Sequence, residues 1–287
     1  MWLTLAFLTA LFTSLQDVFG KTIITRVNVY VIAWAWFFFT LPFVYAYLFV
    51  EGVPPLGAPF FTALAGSTVI LIICSVCYFK AIKFSDLSVG MPMLAFTPVF
   101  LLLTSPLMVG EFPGPAGVIG IILIVAGAYV LNIHTKGKGY LEPFKCLFRE
   151  KGARYMLLVA FLYSVGANFD KIGVVHSSPI MWIAALNTVL ALAVGIIMFC
   201  KTRNVTAQVR SVWPTLVLIG LLNAIALIFQ MVAIKMTLVA HLVAVKRTSV
   251  LMTSLFGIFL FKEKGMKERL LGALLMITGV FMISLFQ

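Results

Sequence analysis

The feature that most constrains this chain is a succession of ten apolar stretches, with little polar sequence between them. They run over approximately 2–22, 28–50, 58–79, 86–108, 115–133, 155–174, 180–200, 213–233, 239–261 and 269–286. A membrane-spanning helix needs about 20 such residues at roughly 1.5 Å each. Pro54-Pro55, Pro113 with Pro115, and Pro179 punctuate the connections, where a residue without an N–H ends a helix. Of the 287 residues, 62% are apolar and 10% charged. Soluble domains average about 45–50% and about 25%. No polar segment is long enough to hold a soluble domain. Met1–Phe19 lacks a basic leader and an Ala-x-Ala site, so it reads as the first membrane helix rather than a signal peptide. The expected fold class is all-α and integral to the membrane.

The chain also repeats itself. Ala81-Ile82-Lys83 recurs as Ala233-Ile234-Lys235, and the same offset carries Glu111 to Glu263, Gly120 to Gly272 and Gly127 to Gly279. A slightly shorter offset carries Ser14, Phe19 and Lys21 to Ser164, Phe169 and Lys171. Glycines seven apart share a helix face and permit close helix contact. The chain therefore divides into 1–133, a basic linker over 134–154, and 155–287, with the linker's LEPFKCLF suited to a short interfacial helix. Five crossings per half invert the second copy relative to the first. The expected architecture is ten transmembrane helices as two inverted five-helix repeats around a central cavity. Many secondary transporters are built this way and work by alternating access.

A net charge of +12 would suit nucleic acid in a soluble protein. Here the basic residues lie in short loops, where the lipid bilayer and the positive-inside effect account for them. Loops after odd-numbered stretches hold most of them, which puts those loops in the cytoplasm and both termini outside. The chain is thus expected as a multi-pass protein of the cell inner (plasma) membrane. Cys74 and Cys77 form CSVC inside an apolar run, with no second ligand pair, and read as small buried thiols. Gly20-Lys21-Thr22 resembles the end of a phosphate-binding loop, but Leu15 stands where glycine is needed. There is no HExxH, no GxSxG and no cysteine–histidine cluster. No enzyme activity, metal or cofactor is expected. The sequon Asn204-Val205-Thr206 falls in a loop that the charge rule places inside.

Lys246 and Arg247 stand side by side within the ninth stretch, AHLVAVKRTSVLMTSLFGIFLFKEK. One cation near a bilayer centre costs at least about 2.5–3.5 kcal/mol, so two need water, an acid or an anionic ligand. They are expected to face an aqueous cavity and take the negative part of a substrate. Two alternatives stay open: pairing with Asp17 or Asp170, and snorkelling of Lys246 to an interface. Gln16, Asn168, Asn223 and Gln230 are amides at membrane depth, suited equally to lining a cavity or to bonding across helices. Tyr78, aligned with Gln230 by the repeat, is a further cavity candidate. Asp17 with Lys21, and Asp170 with Lys171, occupy pseudo-symmetric places and suit either plain ion pairs or gates. His241 suits a coupling group or an interfacial residue. Trp34, Trp36, Trp182 and Trp213 suit interface anchors or packing.

Two five-stretch halves, each with an acid closing its fourth stretch (LMVGE at 107–111, FLFKE at 259–263) and a glycine-spaced fifth, resemble the EamA family of the drug/metabolite transporter superfamily. The Lys246-Arg247 pair also resembles the Lys-Arg pair with which plastid phosphate translocators, distant members of that superfamily, hold phosphate. Their additional fourth-stretch lysine is absent, since that place here is Leu94. The resemblance implies a secondary carrier for a small organic solute. An anionic or phosphate-bearing metabolite leads, with export of amino acids or other neutral or zwitterionic solutes, or lipid flipping, as rivals. A non-transporting membrane protein fits less well. A proton or counter-substrate is compatible as coupling partner, and the carrier is compatible with a monomer or a homodimer.

Overall fold

A computed structural model describes residues 1–23, 26–84, 93–132, 151–202, 204–253, 256 and 266–285. The elements are α1 (Trp2–Ile23), α2 (Val29–Phe38), α3 (Leu41–Glu51), α4 (Ala58–Phe84), α5 (Thr97–Met108), α6 (Pro115–Asn132), α7 (Lys151–Val175), α8 (Pro179–Lys201), α9 (Val205–Ile234), α10 (Val239–Lys246) and α11 (Met266–Leu285). Among the described residues there is no strand. Six stretches are long and apolar enough to cross a membrane: Trp2–Gly20, Tyr30–Glu51, Ala58–Ser75, Lys151–Val175, Pro179–Lys201 and Val205–Ile234. Thr97–Met108, Pro115–Leu131 and Leu271–Leu285 are shorter apolar helices. Of the ninth expected stretch, α10 and the residues on to Thr253 are described. The LEPFKCLF segment and Glu263 lie outside the described residues.

Local chemistry explains most element ends. Asn28 caps α2 by accepting from the Tyr30 N–H at 3.0 Å, and Ser178 caps α8 through the Met181 N–H at 3.1 Å, with Pro179 opening the helix. The second expected span is split into α2 and α3. Pro42 has no N–H for the Phe38 carbonyl, and at the end of α2 the Thr40 hydroxyl donates to the Trp36 carbonyl at 2.6 Å. Two expected boundaries move. Residues 151–154 open α7 rather than ending the linker, and 205–212, expected as loop, are helical. α9 bends at Val212 (φ −134°, ψ 20°), two residues before Pro214. The proline therefore kinks a helix that begins earlier than the apolar pattern indicates.

The two halves interdigitate by a twofold exchange. α1 packs on α9 and, in the matching relation, α4 on α7; α2 packs on α8, α5 on α10, and α6 on α11. The α6·α11 seam uses the repeated glycines. A Cβ on Gly120 would lie 2.7 Å from the Gly279 carbonyl oxygen, and one on Gly279 2.5 Å from the Gly120 oxygen. Gly127 and Gly272 form the same contact one turn-pair away. Backbones touch there, so side chains larger than hydrogen have no room.

The fourth and ninth expected stretches each contain a turn. Residues 95–96 form a turn before α5, and 247–248 form a turn after α10. The repeat offset superposes these two turns. In the first, Pro98 cannot bond the Leu94 carbonyl, and the Thr97 hydroxyl takes that bond at 2.9 Å. In the second, the Thr248 hydroxyl bonds the Val245 carbonyl at 2.7 Å, competing with the helical ladder. Each half therefore places a broken helix at the same repeat position.

Candidate functional site

Lys246 and Arg247 lie at the second of these breaks. Both are half-buried. The Lys246 Nζ donates to Gln230 Oε1 at 2.6 Å, and the Arg247 Nη2 donates to Thr97 Oγ1 at 2.7 Å. The Arg247 Nε is buried without a partner among the described residues. Thr97 thus joins the two breaks: its hydroxyl donates to Leu94 and accepts from Arg247. The acceptors on both cations are neutral. Among the described residues neither cation enters an ion pair. Asp17 and Asp170 are the carboxylates whose charge acts on Lys246, yet neither closes on it.

Around the cations stand further polar groups. The Asp17 side chain is exposed although it belongs to α1 at membrane depth. Trp182 Nε1 donates to Asp170 Oδ1 at 3.0 Å, so this fully buried indole orients the carboxylate rather than anchoring an interface. Tyr163 is 37% exposed and is electrostatically coupled to Arg247 and Tyr78. Tyr78 is half-buried among Met93, Tyr129 and Met156. Gln16 is buried on α1, one residue before Asp17. Asp17 and Tyr163 are the exposed members of this group.

Other candidates from the sequence belong elsewhere. Asn168 is 0% exposed and knits α7 to α5. It accepts from the Ser105 hydroxyl at 2.8 Å and donates to Thr104 Oγ1 at 3.0 Å and the Ser164 carbonyl at 3.1 Å. Asn223 donates to the Trp36 carbonyl at 3.2 Å and Thr40 Oγ1 at 2.9 Å, fixing α9 to the α2–α3 break. Of the two roles open to these amides, both take the cross-helix one. Gln230 instead faces a cation.

Lys171 leaves Asp170 and reaches the far end of α10. Its Nζ lies 2.8 Å from Glu111 Oε1 and donates to the Thr237 carbonyl at 2.8 Å. Glu111 Oε2 accepts from the Val239 N–H at 3.0 Å. One ion pair thereby ties the α5–α6 connection, α7 and the α9–α10 connection, and it caps the N-terminus of α10 with a carboxylate. The Asp17–Lys21 pairing falls partly outside the described residues, because the Lys21 side chain is not described. His241 is buried within the protein, 3% exposed. It stacks on Trp2 at 6.4 Å and 24°, and both ring nitrogens lack a hydrogen-bond partner among the described residues.

Sequence reasoning missed Thr97, Tyr163 and the Glu111–Lys171 contact. Thr97 had a signal: the repeat puts Leu94–Thr97 opposite Lys246–Ser249, and Thr-Pro is a helix-breaking pair. Tyr163, one of eight tyrosines, had none.

Residues 1–133 and 150–285 match the profile of one family, described as the EamA-like transporter family. No curated protein matches the chain in sequence. A solved crystal structure, whose description names no activity, superposes on 99% of this chain and 96% of its own with a TM-score of 0.80 at 16% identity. That likeness concerns the fold alone.

Proposed function

The chain belongs to the EamA-like transporter family, membrane transporters of small solutes, and on that premise we propose that it is a secondary carrier for a small anionic or phosphate-bearing metabolite. The solute's negative group binds Lys246 and Arg247, and the two repeats, inverted in the membrane, rock about that site. The observation that carries this reading is the state of the two cations. They are held at a helix break by a neutral amide and a neutral hydroxyl, with no ion pair among the described residues. A cation kept for structure would be neutralised by an acid, because leaving it unpaired at membrane depth is costly. An arginine fork matches a carboxylate or phosphate with two bonds, and lysine adds a point charge.

A second reading has its own support. Asp17, exposed, and Asp170 bring negative charge to the same group, which suits a zwitterionic solute such as an amino acid. Gln16, Gln230 and Tyr78 serve as lining in both readings. Asp17, Lys21, Asp170, Lys171 and His241 are the groups proposed to gate or couple.

Purified protein is challenged with phosphorylated metabolites, carboxylates and amino acids while its melting temperature is followed. Lys246→Gln and Arg247→Gln are expected to abolish the response to the anionic ligand and leave a folded, extractable protein. Asp17→Asn tells the readings apart: it is neutral for an anion and abolishes the response to a zwitterion. A ligand response that survives both cation substitutions refutes the assignment of the site.

A further inference from the structure

A second candidate site lies on the outer surface, away from the paired cations. The kink in α9 sets its first turns, 205–211, apart from the rest of the helix, because Pro214 has no N–H for the Arg210 carbonyl. The Asn28 N–H donates to Gln208 Oε1 at 2.8 Å, which fastens those turns to the start of α2. Between them, α2 and the end of α8 lies a groove of about 370 Å³ lined by Trp34, Met198, Phe199, Val209, Arg210 and Trp213 among others. That volume falls in the range of about 300–1,000 Å³ typical of small-molecule sites. The lining side chains are apolar apart from Thr206 and Arg210.

Four further observations define the occupant. On α8, Leu192, Ile196 and Phe199 are each about two-thirds exposed, and at this spacing they form one helix face. The face runs into the groove, so the groove opens toward hydrocarbon. The Arg210 guanidinium is exposed and has no hydrogen-bond acceptor among the described residues. Lys201, at the end of α8, is exposed as well. Trp213, 57% exposed, has the amphipathic ring that settles at headgroup depth. An apolar slot continuous with the lipid face, with an arginine among its lining residues, is complementary to a lipid that carries a negative headgroup.

We propose that this groove binds an anionic phospholipid, one acyl chain lying between α2, α8 and the first turns of α9, with the phosphate on Arg210. The loops beside it are basic, and basic loops face the leaflet richest in anionic lipid. The bend at Val212 gives the site its shape. A straight α9 would have no separate first segment to form the groove wall.

The test uses full-length protein in detergent and phosphatidylglycerol brominated on its acyl chains, which quenches nearby tryptophan fluorescence. Quenching is expected at a concentration about fivefold lower than for brominated phosphatidylcholine with the same chains, the contribution of one cation near an anionic headgroup. Arg210→Gln is expected to erase the preference and leave the phosphatidylcholine curve unchanged, while Arg210→Lys restores part of it. Because Arg210 is exposed and unpartnered, its loss leaves the melting temperature unaltered, which is measured alongside. Trp213→Phe should remove much of the quenchable signal. Equal curves for the two lipids, a preference that survives Arg210→Gln, or a signal indifferent to Trp213→Phe each overturns the proposal. So does displacement of the lipid by soluble glycerol phosphate, which would make the site one for free phosphate.

Discussion

Replacing Lys171 with methionine tests the clamp at the start of α10. The substitution keeps the aliphatic stem and removes the ammonium. In the native protein the Lys171 and Glu111 side chains are 12% and 19% exposed, so solvent screens the pair only weakly. Removing one partner of such a pair leaves the other charge buried, a loss of about 3–5 kcal/mol. The Glu111 carboxylate keeps its bond from the Val239 N–H and some water contact, so the lower end, about 3 kcal/mol, is expected. At roughly 2 °C per kcal/mol for a chain of this size, the melting temperature falls by roughly 6 °C. Glu111→Gln leaves Lys171 with only the Thr237 carbonyl and should cost a similar amount. The double variant carries no unpaired charge, and its loss should be well below the sum, by about 2 kcal/mol. Thermal unfolding in detergent of all four proteins completes the cycle. Additive losses, or a Lys171→Met variant as stable as the parent, would refute the reasoning.

Other substitutions separate framework from site. Asn168→Leu should cost about 2 kcal/mol, because it strips partners from the buried Ser105 and Thr104 hydroxyls; its melting temperature drops while the ligand-induced shift persists. Gly279→Leu puts a side chain into the Gly120 carbonyl and should reduce the yield of monodisperse protein in size-exclusion chromatography far more than Gly20→Leu, whose site has open space. His241→Phe keeps the stack on Trp2 and removes two unpartnered nitrogens, so stability should hold or rise by about 1 kcal/mol. A fall would mean that the ring nitrogens have partners in the folded protein.

Much of the framework was legible because membrane helices announce themselves by apolar length, and because this chain states its pattern twice. The glycines of α6 and α11 could be matched by offset alone, and they do touch. What was hidden depended on carbonyl accounting. Pro42, Pro98 and Pro214 each orphan a carbonyl inside an apolar run, and hydropathy averages over that loss. The first splits a span, the second makes a break at the site, and the third bends α9. Intrahelical spacing also misled. Lys171 adjoins Asp170 in sequence, yet adjacent helix residues point about 100° apart, and its partner proved to be Glu111 in the α5–α6 connection. The polar amides were ambiguous by chemistry: Asn168 and Gln230 are the same kind of group, and only the neighbouring helix decides which is consumed by framework.

Two kinds of contact hold α10 at its two ends. They differ in strength in the way that the proposed function requires. At Val239 a carboxylate, an ammonium and two backbone groups converge. About 10 Å along the helix, Lys246 and Arg247 hold only an amide and a hydroxyl. Each of these two bonds joins a charged donor to a neutral acceptor, whereas in the Lys171–Glu111 pair both partners are charged and Coulomb attraction adds to the bond. A solute carboxylate or phosphate approaching the break therefore displaces weak acceptors and replaces them with a charged one. Had Asp17 or Asp170 closed on Lys246, the solute would first have to break an ion pair at membrane depth. Thr97 ties this exchange to conformation: the hydroxyl that Arg247 would release for solute belongs to the opposite repeat and caps its broken helix. On the proposed reading, binding loosens the bond from Arg247 to Thr97 in the other half, while the far end of α10 stays clamped.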